Sequence, residues 1–393
     1  MTDELVQSAV DRVPQMLADL ERLVTCETPS SDLAAVAAGA ADVAALVHER
    51  LGQRCELIEV DGVTHVRLRL TPGDTGEIPD DAPRVMLLCH QDTVWPHGTL
   101  ARLPFSHADG VVRGPGSFDM LTGLVMAIHA VAVMQQHALP TSGLTLLVTG
   151  DEEVGSAASR ELITTEVTRT SRPPAVLVLE GSADGGAAKV ARKGASSYRL
   201  TIRGRAAHAG LEPEAGINAG LELAHQILAV SAVADDDAGT SVVPTTLSAG
   251  NSSNTVPDTA FLDIDSRAWT RAEQDRVDAA LRSLSPTQTG ATFELSGGIN
   301  RPPLQRELSM PLYAELTEVC RELELSAPEA ADVGGASDGN ITAGLGAPSL
   351  DGLGAVGGGA HADHEHALVE HFGPRTAMLA GLVHRLLRPE RRA

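Results

Sequence analysis

The chain has 393 residues, which is enough for two domains that each bury a core of their own. Its formal net charge of −22 repels phosphate backbones and anionic membranes, and only 2% of its residues are aromatic. We therefore expect neither a nucleic-acid partner nor a membrane partner. Four scattered cysteines without a CxxC pair predict free thiols in a reducing compartment, which favours a cytoplasmic location over a disulfide framework.

The N-terminal part of the chain is predicted to be helical before it enters a sheet. Residues 1–24 mix acidic and apolar side chains at helical spacing, which predicts one amphipathic helix and not a signal peptide. Residues 30–32 predict the cap of a second helix that ends near Leu51, and residues 55–70 resemble a strand. We expect no apolar stretch long enough to span a bilayer.

Three apolar runs are typical of strands that are buried on both faces of a parallel sheet, at residues 84–89, 144–149 and 175–179. Each run is closely followed by side chains that can bind a metal, namely His90, Glu152 with Glu153, and Glu180. Sites in α/β folds gather at the carboxyl ends of parallel strands. The pattern therefore predicts an α/β fold, with a mixed, largely parallel sheet flanked by helices and a site at one sheet edge.

The sequence pattern changes near residue 193. Alternating apolar and polar residues predict strands around 197–202, 245–249 and 259–265, with a long helix around 216–232. This combination is typical of a small α+β domain with an antiparallel sheet. We therefore predict a main domain in two parts, at 1–192 and 301–393, which would carry any catalytic site at the sheet edge, and an inserted domain at 193–300.

Each candidate motif taken alone has an ordinary structural explanation. His90-x-Asp92 suits a metal ligand with a carboxylate that orients its ring, but it also occurs by chance. Asp119 could simply cap a helix. The adjacent Glu152 and Glu153 repel each other unless a cation or a proton lies between them, although a solvated surface pair is the alternative.

Taken together, the candidate ligands are imidazoles and carboxylates without thiolates. Such a set favours a hydrolytic zinc centre, and Co²⁺ or Mn²⁺ would also be acceptable. Two cations that share one carboxylate would polarise a scissile carbonyl. Spacing alone does not choose among the three histidines of residues 361–366.

The combined motifs resemble one known family over about residues 10–388. They are His90-x-Asp92, Gly114-Pro115-Gly116-x-x-Asp119, Asp151-Glu152-Glu153, Glu180, Gly204-x-x-x-His208-Ala209-Gly210 and His361. Their order is similar to that of the di-zinc aminoacylase and carboxypeptidase family, which includes glutamate carboxypeptidase, acetylornithine deacetylase and succinyl-diaminopimelate desuccinylase. The bacterial glutamate carboxypeptidase branch is the most similar. The resemblance implies that the insert is a lid and dimerisation domain and that the protein is a homodimer.

The resemblance also implies a role for each matched residue. Two Zn²⁺ ions per subunit would be held by a bridging Asp119, by His90 with Glu180, and by Glu153 with His361, with His364 and His366 as alternatives to His361. The implied catalytic residues are Glu152 as general base, Asp92 as the group that orients His90, and His208 of the partner subunit, which would stabilise the oxyanion. Asn254 and Arg267 would bind the substrate, with Arg267 on its carboxylate.

The implied reaction is hydrolysis of an amide bond next to a free carboxylate, as in a glutamate carboxypeptidase. An N-acyl-amino-acid deacylase is the alternative, because the sequence does not identify the pocket residues that decide between the two activities. Less favoured are an inactive binding protein on the same scaffold and an aminopeptidase on a different scaffold. Family members often carry a lysine shortly after the bridging aspartate, whereas this chain continues Met120-Leu121-Thr122.

Overall fold

A computed structural model describes residues 2–71, 79–80, 82 and 84–388. The chain forms two compact units. The first unit comprises Met1–Ala191, Arg306–Val333 and Ser337–Ala393, and the second comprises Arg192–Gln305 and Gly334–Ala336. The insert predicted at 193–300 falls inside the second unit.

The helices of the described residues, in chain order, are α1 (Thr2–Asp11), α2 (Val13–Thr25), α3 (Leu33–Leu51), α4 (Thr122–Gln136), α5 (Ser159–Thr168), α6 (Ala219–Ser231), α7 (Arg271–Arg282), α8 (Arg306–Glu322), α9 (Asp338–Gly344) and α10 (Phe372–Leu387). The predicted single helix over residues 1–24 is wrong, because α1 ends at Asp11 and α2 begins at Val13 with Pro14 in its first turn. Proline fits a first turn, where its missing N–H is not needed. The predicted cap of the next helix is confirmed, since the Asp32 side chain accepts from the backbone of Ala34 and Ala35.

The strands are β1 (Glu56–Val60), β2 (Val63–Leu70), β3 (Val85–His90), β4 (Ser106–Ala108), β5 (Val111–Arg113), β6 (Leu144–Thr149), β7 (Ala175–Val178), β8 (Ala188–Arg192), β9 (Gly194–Arg203), β10 (Ser241–Ala249), β11 (Thr259–Ala268), β12 (Thr292–Arg301), β13 (Ala330–Val333), β14 (Ser349–Leu350), β15 (Gly357–Gly358) and β16 (His366–Leu368). The predicted strand at 55–70 is a hairpin of β1 and β2. Its turn is Asp61-Gly62, and both residues have positive φ (49° and 83°). Such a two-residue turn is favoured by an Asp-Gly pair.

The first unit is built on a six-stranded sheet with the order β1-β2-β6-β3-β7-β14. Strands β3, β6, β7 and β14 run parallel, whereas the hairpin of β1 and β2 is added at one edge through antiparallel pairing of β2 with β6. Every residue of β3 and β6 is buried, as expected for largely apolar strands that are covered on both faces. A smaller antiparallel sheet, β15-β16-β5-β4, lies in the same unit.

Helix α4 is the central helix of the first unit. The run Ser117–Gln136 has 20 residues and a mean hydropathy of 1.7, so it is long and apolar enough to cross a bilayer. The expectation that no stretch reaches that length is therefore wrong. However, 94% of the run's most apolar 18-residue stretch is buried inside the protein, because the helix packs against α1, α2, α3 and α10. A helix that is apolar on all sides is typical of a protein core as well as of a membrane.

The second unit has an antiparallel sheet with the order β10-β11-β9-β12. Its core is formed by alternate residues of the strands, such as Leu200 and Leu262, together with Val277 and Leu281 of α7. Strand β9 alternates buried and less buried residues along its length. This alternation is expected for a sheet that carries helices on one face.

Candidate metal centre

Three strand ends of the first unit bring candidate ligands to one edge of the sheet. His90 is the last residue of β3, Glu152 and Glu153 form the turn after β6, and Glu180 lies two residues beyond β7. The parallel registers pair His90 with Thr149 and Leu88 with Val178, so the three strands end side by side. This is the arrangement predicted from the three apolar runs.

His90 is 1% exposed and is directed towards carboxylates. Its Nε2 lies 3.4 Å from Asp119 Oδ1 and 3.5 Å from Glu180 Oε1. Its Nδ1 lies 3.0 Å from the backbone oxygen of Asp92 and 3.6 Å from the Asp92 carboxylate. A carbonyl oxygen only accepts, so Nδ1 carries a hydrogen, and loss of the other ring proton would leave the Nε2 lone pair for a cation held among the carboxylates.

Asp119 lies between two imidazoles. Its Oδ1 faces His90, whereas its Oδ2 lies 3.4 Å from Nε2 of His361. The same His361 nitrogen is 3.1 Å from Glu153 Oε2. The two oxygens of one carboxylate thus face different histidines, as they would in a carboxylate shared by two cations. Among residues 361–366, His361 is the histidine with contacts to these carboxylates in the described structure.

The Asp92 carboxylate anchors the turn that carries the two glutamates. Its Oδ1 accepts from the Glu152 backbone N–H at 3.2 Å, and its Oδ2 accepts from that of Glu153 at the same distance. Ser30 donates its hydroxyl to Oδ2 at 2.7 Å. The sequence suggested an orienting role for Asp92 towards His90 only. Ser30 was missed, since it lies 62 residues away in sequence and its only local signal was that of a helix cap.

The electrostatics of this cluster favour positive charge. Hydrogen bonds to Asp119 and Glu153 raise the pKa of His361 to about 10. Burial alone would lower the pKa of His90, yet the surrounding carboxylates, first that of Asp119, raise it well above its usual value. Burial alone would raise the pKa of Asp119, but His361 and His90 hold it well below its usual range. A cation at this position would take the place of the protons on the imidazoles.

The described residues fit divalent cations in two overlapping groups. One group is His90, Asp119 and Glu153, and the other is His90, Glu152 and Glu180, with the ligand atoms of each group within 4.8 Å of one another. The Nε2 of His90 is buried and makes no hydrogen bond within the described residues. A buried imidazole nitrogen that faces only carboxylates is the expected state of a metal ligand.

His208 and Asn254 belong to the second unit and lie on neighbouring backbone segments. His208 is exposed, and its Nδ1 accepts from the backbone of Gly210 and Leu211, each at 3.1 Å. Its Nε2 therefore carries the hydrogen and can donate. The backbone oxygen of Asn254 accepts from Ala209 at 2.9 Å.

Arg267 is on β11 in the second unit and already holds a carboxylate of its own strand. Its Nε and Nη2 donate to the two oxygens of Asp265 at 2.9 and 2.8 Å. The sequence predicted that this guanidinium would bind the substrate carboxylate. The structure shows that a substrate would have to compete with Asp265 for this edge or use the remaining N–H groups.

The ends of the largely parallel sheet thus gather imidazoles and carboxylates that could hold metal ions. A family model described as peptidase family M20/M25/M40 matches residues 86–385, so the chain belongs to this family. The resemblance drawn from the motifs and the predicted fold class are thereby confirmed. The alternative of a metallohydrolase on a different scaffold, such as an aminopeptidase, is therefore wrong as to the scaffold.

Individual relatives agree with this assignment. Carboxypeptidase G2 of Pseudomonas sp. (strain RS-16) is 28% identical over 391 residues, which cover 96% of this chain and 91% of that protein. Succinyl-diaminopimelate desuccinylase 2 of Shewanella loihica is 29% identical over 67% of this chain and 74% of its own length. The fold is similar to that of the M20 family metallo-carboxypeptidase Sso-CP2 from Sulfolobus solfataricus, with a TM-score of 0.75, 14% identity, and coverage of 95% and 99% of the two chains.

Proposed function

We propose that this chain is a metal-dependent amidohydrolase that cleaves an amide bond next to a free carboxylate, in the manner of a glutamate carboxypeptidase. The observation that carries the proposal is Asp119, whose two oxygens face His90 and His361. The similarity to carboxypeptidase G2 over 96% of the chain supports the choice of substrate class.

We propose two Zn²⁺ ions per subunit as the cofactor, with Co²⁺ or Mn²⁺ as possible replacements. His90 and Glu180 would hold one ion, Glu153 and His361 the other, and Asp119 would bridge them. When bound, such cations supply Lewis acidity, which polarises a carbonyl and makes water more acidic. The absence of thiolate from the donor set supports zinc in a hydrolytic role.

Glu152 is the proposed general base. It belongs to a ligand group with His90 and Glu180, and its backbone is held by Asp92. Its carboxylate would take a proton from the attacking water and deliver it to the departing nitrogen. Asp92 would keep the turn at Glu152 and Glu153 in place beside His90 during both transfers. Retention of the glutamate with the complete ligand set argues against an inactive binding protein.

His208, Asn254 and Arg267 are proposed to act on the substrate. The Nε2–H of His208 is a suitable donor for a developing oxyanion. His208→Ala should therefore lower kcat by about 100-fold while the zinc content stays unchanged. His48→Ala, at an exposed histidine on α3 of the first unit, is the control. If the two variants had equal kcat, His208 would have no part in the reaction.

An N-acyl-amino-acid deacylase is the second candidate, supported by the similarity to succinyl-diaminopimelate desuccinylase 2. Three matched substrates separate the candidates after zinc loading: an N-acyl-glutamate, an N-blocked dipeptide ending in glutamate, and the amide of that dipeptide. Faster cleavage of the dipeptide than of the acyl-glutamate supports the carboxypeptidase, and the reverse order supports the deacylase. Equal rates for the dipeptide and its amide would refute recognition of the carboxylate, and no turnover at all would favour the binding protein.

A homodimer is proposed to form through the second unit. Leu221 and Leu228 on α6 are 58% and 72% exposed, and β10 is an edge strand with Val243 and Leu247 exposed. An open strand edge beside exposed leucines favours pairing with a second copy. Leu228→Asp should give a monomer by light scattering, whereas Leu57→Asp, at an exposed leucine on the edge strand β1, should leave the dimer intact. Equal masses for both variants would contradict this interface.

A cytoplasmic location is also proposed. All four cysteines, Cys26, Cys55, Cys89 and Cys320, are free thiols. Free cysteines are stable in a reducing compartment, which supports the location.

A further inference from the structure

Glu365 is a buried carboxylate outside the proposed ligand set, only 3% exposed. It accepts four hydrogen bonds from N–H groups that lie 246 to 270 residues away in sequence. Its Oε1 accepts from the backbone of Phe118 at 2.9 Å and of Asp119 at 3.0 Å. Its Oε2 accepts from the backbone of Gly116 at 2.9 Å and from Nε1 of Trp95 at 2.8 Å.

The four donors require two acceptor oxygens at this position. An ionised carboxylate offers two oxygens and no hydrogen, so it accepts from all four N–H groups without conflict. A glutamine of the same shape offers one oxygen and one NH₂ group, and the NH₂ group would face two other donors. Buried N–H groups that lose their acceptor are costly, so the loop from Gly116 to Asp119 would move away.

Glu365 also lies on the segment that carries His361. The Glu365 backbone N–H donates to Ala362 at 2.9 Å, and Ala362 donates to Gly359 at 2.9 Å. A Cβ atom at Gly359, where φ is +77°, would lie 2.9 Å from the Glu365 backbone, so only glycine fits there. The turn is therefore compact, and a shift of Glu365 would move His361 with it.

We propose that Glu365 is a positioning residue that couples Asp119 to His361 and so holds the second cation position. The inference rests on the proposed two-metal function. Asp119 is bound to Glu365 through its backbone N–H, and His361 is tied to it through the turn of residues 359–365. His90 and Glu180 are instead fixed by the strands β3 and β7 of the central sheet. Loss of the Glu365 carboxylate should thus weaken cation binding at Glu153 and His361 more than cation binding at His90 and Glu180.

The test is stepwise metal binding to the full chain carrying Glu365→Gln, measured by competition with a zinc chelator. Both ions share Asp119, so both should bind more weakly. The ion at His90 and Glu180 should lose less than about tenfold in affinity, and the ion at Glu153 and His361, where the placement of His361 is lost as well, should lose about 100-fold. The control is Glu370→Gln, the same change at an exposed glutamate of the neighbouring turn, which should bind both ions as the wild type does. With one equivalent of Co²⁺, the absorption spectrum of Glu365→Gln should match that of His361→Gln and differ from that of His90→Gln.

Three outcomes are decisive. If the wild type binds two ions, the coupling is refuted when Glu365→Gln binds both with wild-type affinity, and also when it loses the same factor in affinity for both. If the wild type itself does not bind two ions, the proposed function fails, which is a separate result.

Trp95→Phe keeps the carboxylate and removes one of its four donors, so it provides a second route if Glu365→Gln does not fold. It should weaken the ion at Glu153 and His361 by about threefold and the ion at His90 and Glu180 by less, because one charge-assisted bond is lost at Oε2. Equal binding of both ions by Trp95→Phe and wild type would then overturn the inference.

Discussion

Zinc binding should depend steeply on pH, because protons occupy the positions that the cations need. His361 has a pKa of about 10, and His90 has a pKa well above its usual value, so both imidazoles are protonated near neutral pH in the metal-free chain. A protonated imidazole cannot ligate a metal, so each binding event must release about one proton. The association constant of each ion should then rise about tenfold per pH unit for as long as the pH is below the histidine pKa. The sign follows from the raised pKa values: affinity is low at low pH and increases as the pH rises.

Chelator competition from about pH 6.5 to 8, with calorimetry in buffers of different ionisation enthalpy, measures the slope and the proton count. His361→Gln should lose the ion at Glu153 and the proton released with it, while His364→Gln, three residues further along the same turn, should bind both ions with the wild-type slope. An affinity that does not change with pH would show that metal binding displaces no imidazole protons, and the proposed ligand assignment would fail. Loss of an ion in His364→Gln but not in His361→Gln would give the ligand role to His364.

Three further predictions concern single residues. Glu152→Gln should keep both metals by elemental analysis and lower kcat by about 100- to 10,000-fold, since a general base contributes that much. Turnover near that of the wild type would place the base elsewhere. Arg267→Ala should raise KM about tenfold or more for carboxylate substrates and little for their amides, whereas Arg199→Ala, which breaks a similar pair with aspartate on the same sheet, should leave both KM values unchanged. Equal damage with the amide would contradict the Arg267 role. Gly123→Ala should destabilise the fold by about 1–3 kcal/mol in denaturant unfolding, because its Cβ would lie 1.9 Å from the Leu179 carbonyl, while Gly334→Ala meets no atom within 4 Å and should be neutral; equal midpoints would refute this packing.

Local sequence patterns predicted the strands and the ligands that follow them. The strand ending at His90 and the strand before Glu152 are largely apolar runs, which is the sequence signature of a strand buried in a parallel sheet. Parallel pairing then brings residues that are far apart in sequence to one edge without any further information. The residues Asp119 and His361 required the family motifs, because loops have no comparable period.

Long-range contacts within the first unit could not be predicted from the sequence. In the sequence, Glu365 is one charged residue among several in a histidine-rich turn. The four N–H groups that donate to it come close to it only after folding. The contact between Ser30 and Asp92 is of the same kind. The break between α1 and α2 and the turn at Asp61-Gly62 did have local signals, in Pro14 and in the Asp-Gly pair, and should have been predicted.

The most direct test of the account is the metal content of the zinc-reconstituted chain, measured by elemental analysis beside Asp119→Ala. If Asp119 is shared, the wild type holds about two zinc ions per chain, and the variant loses affinity for both, because each ion loses a ligand at once. A wild type with one ion or none, or an Asp119→Ala variant that retains two, would contradict the account.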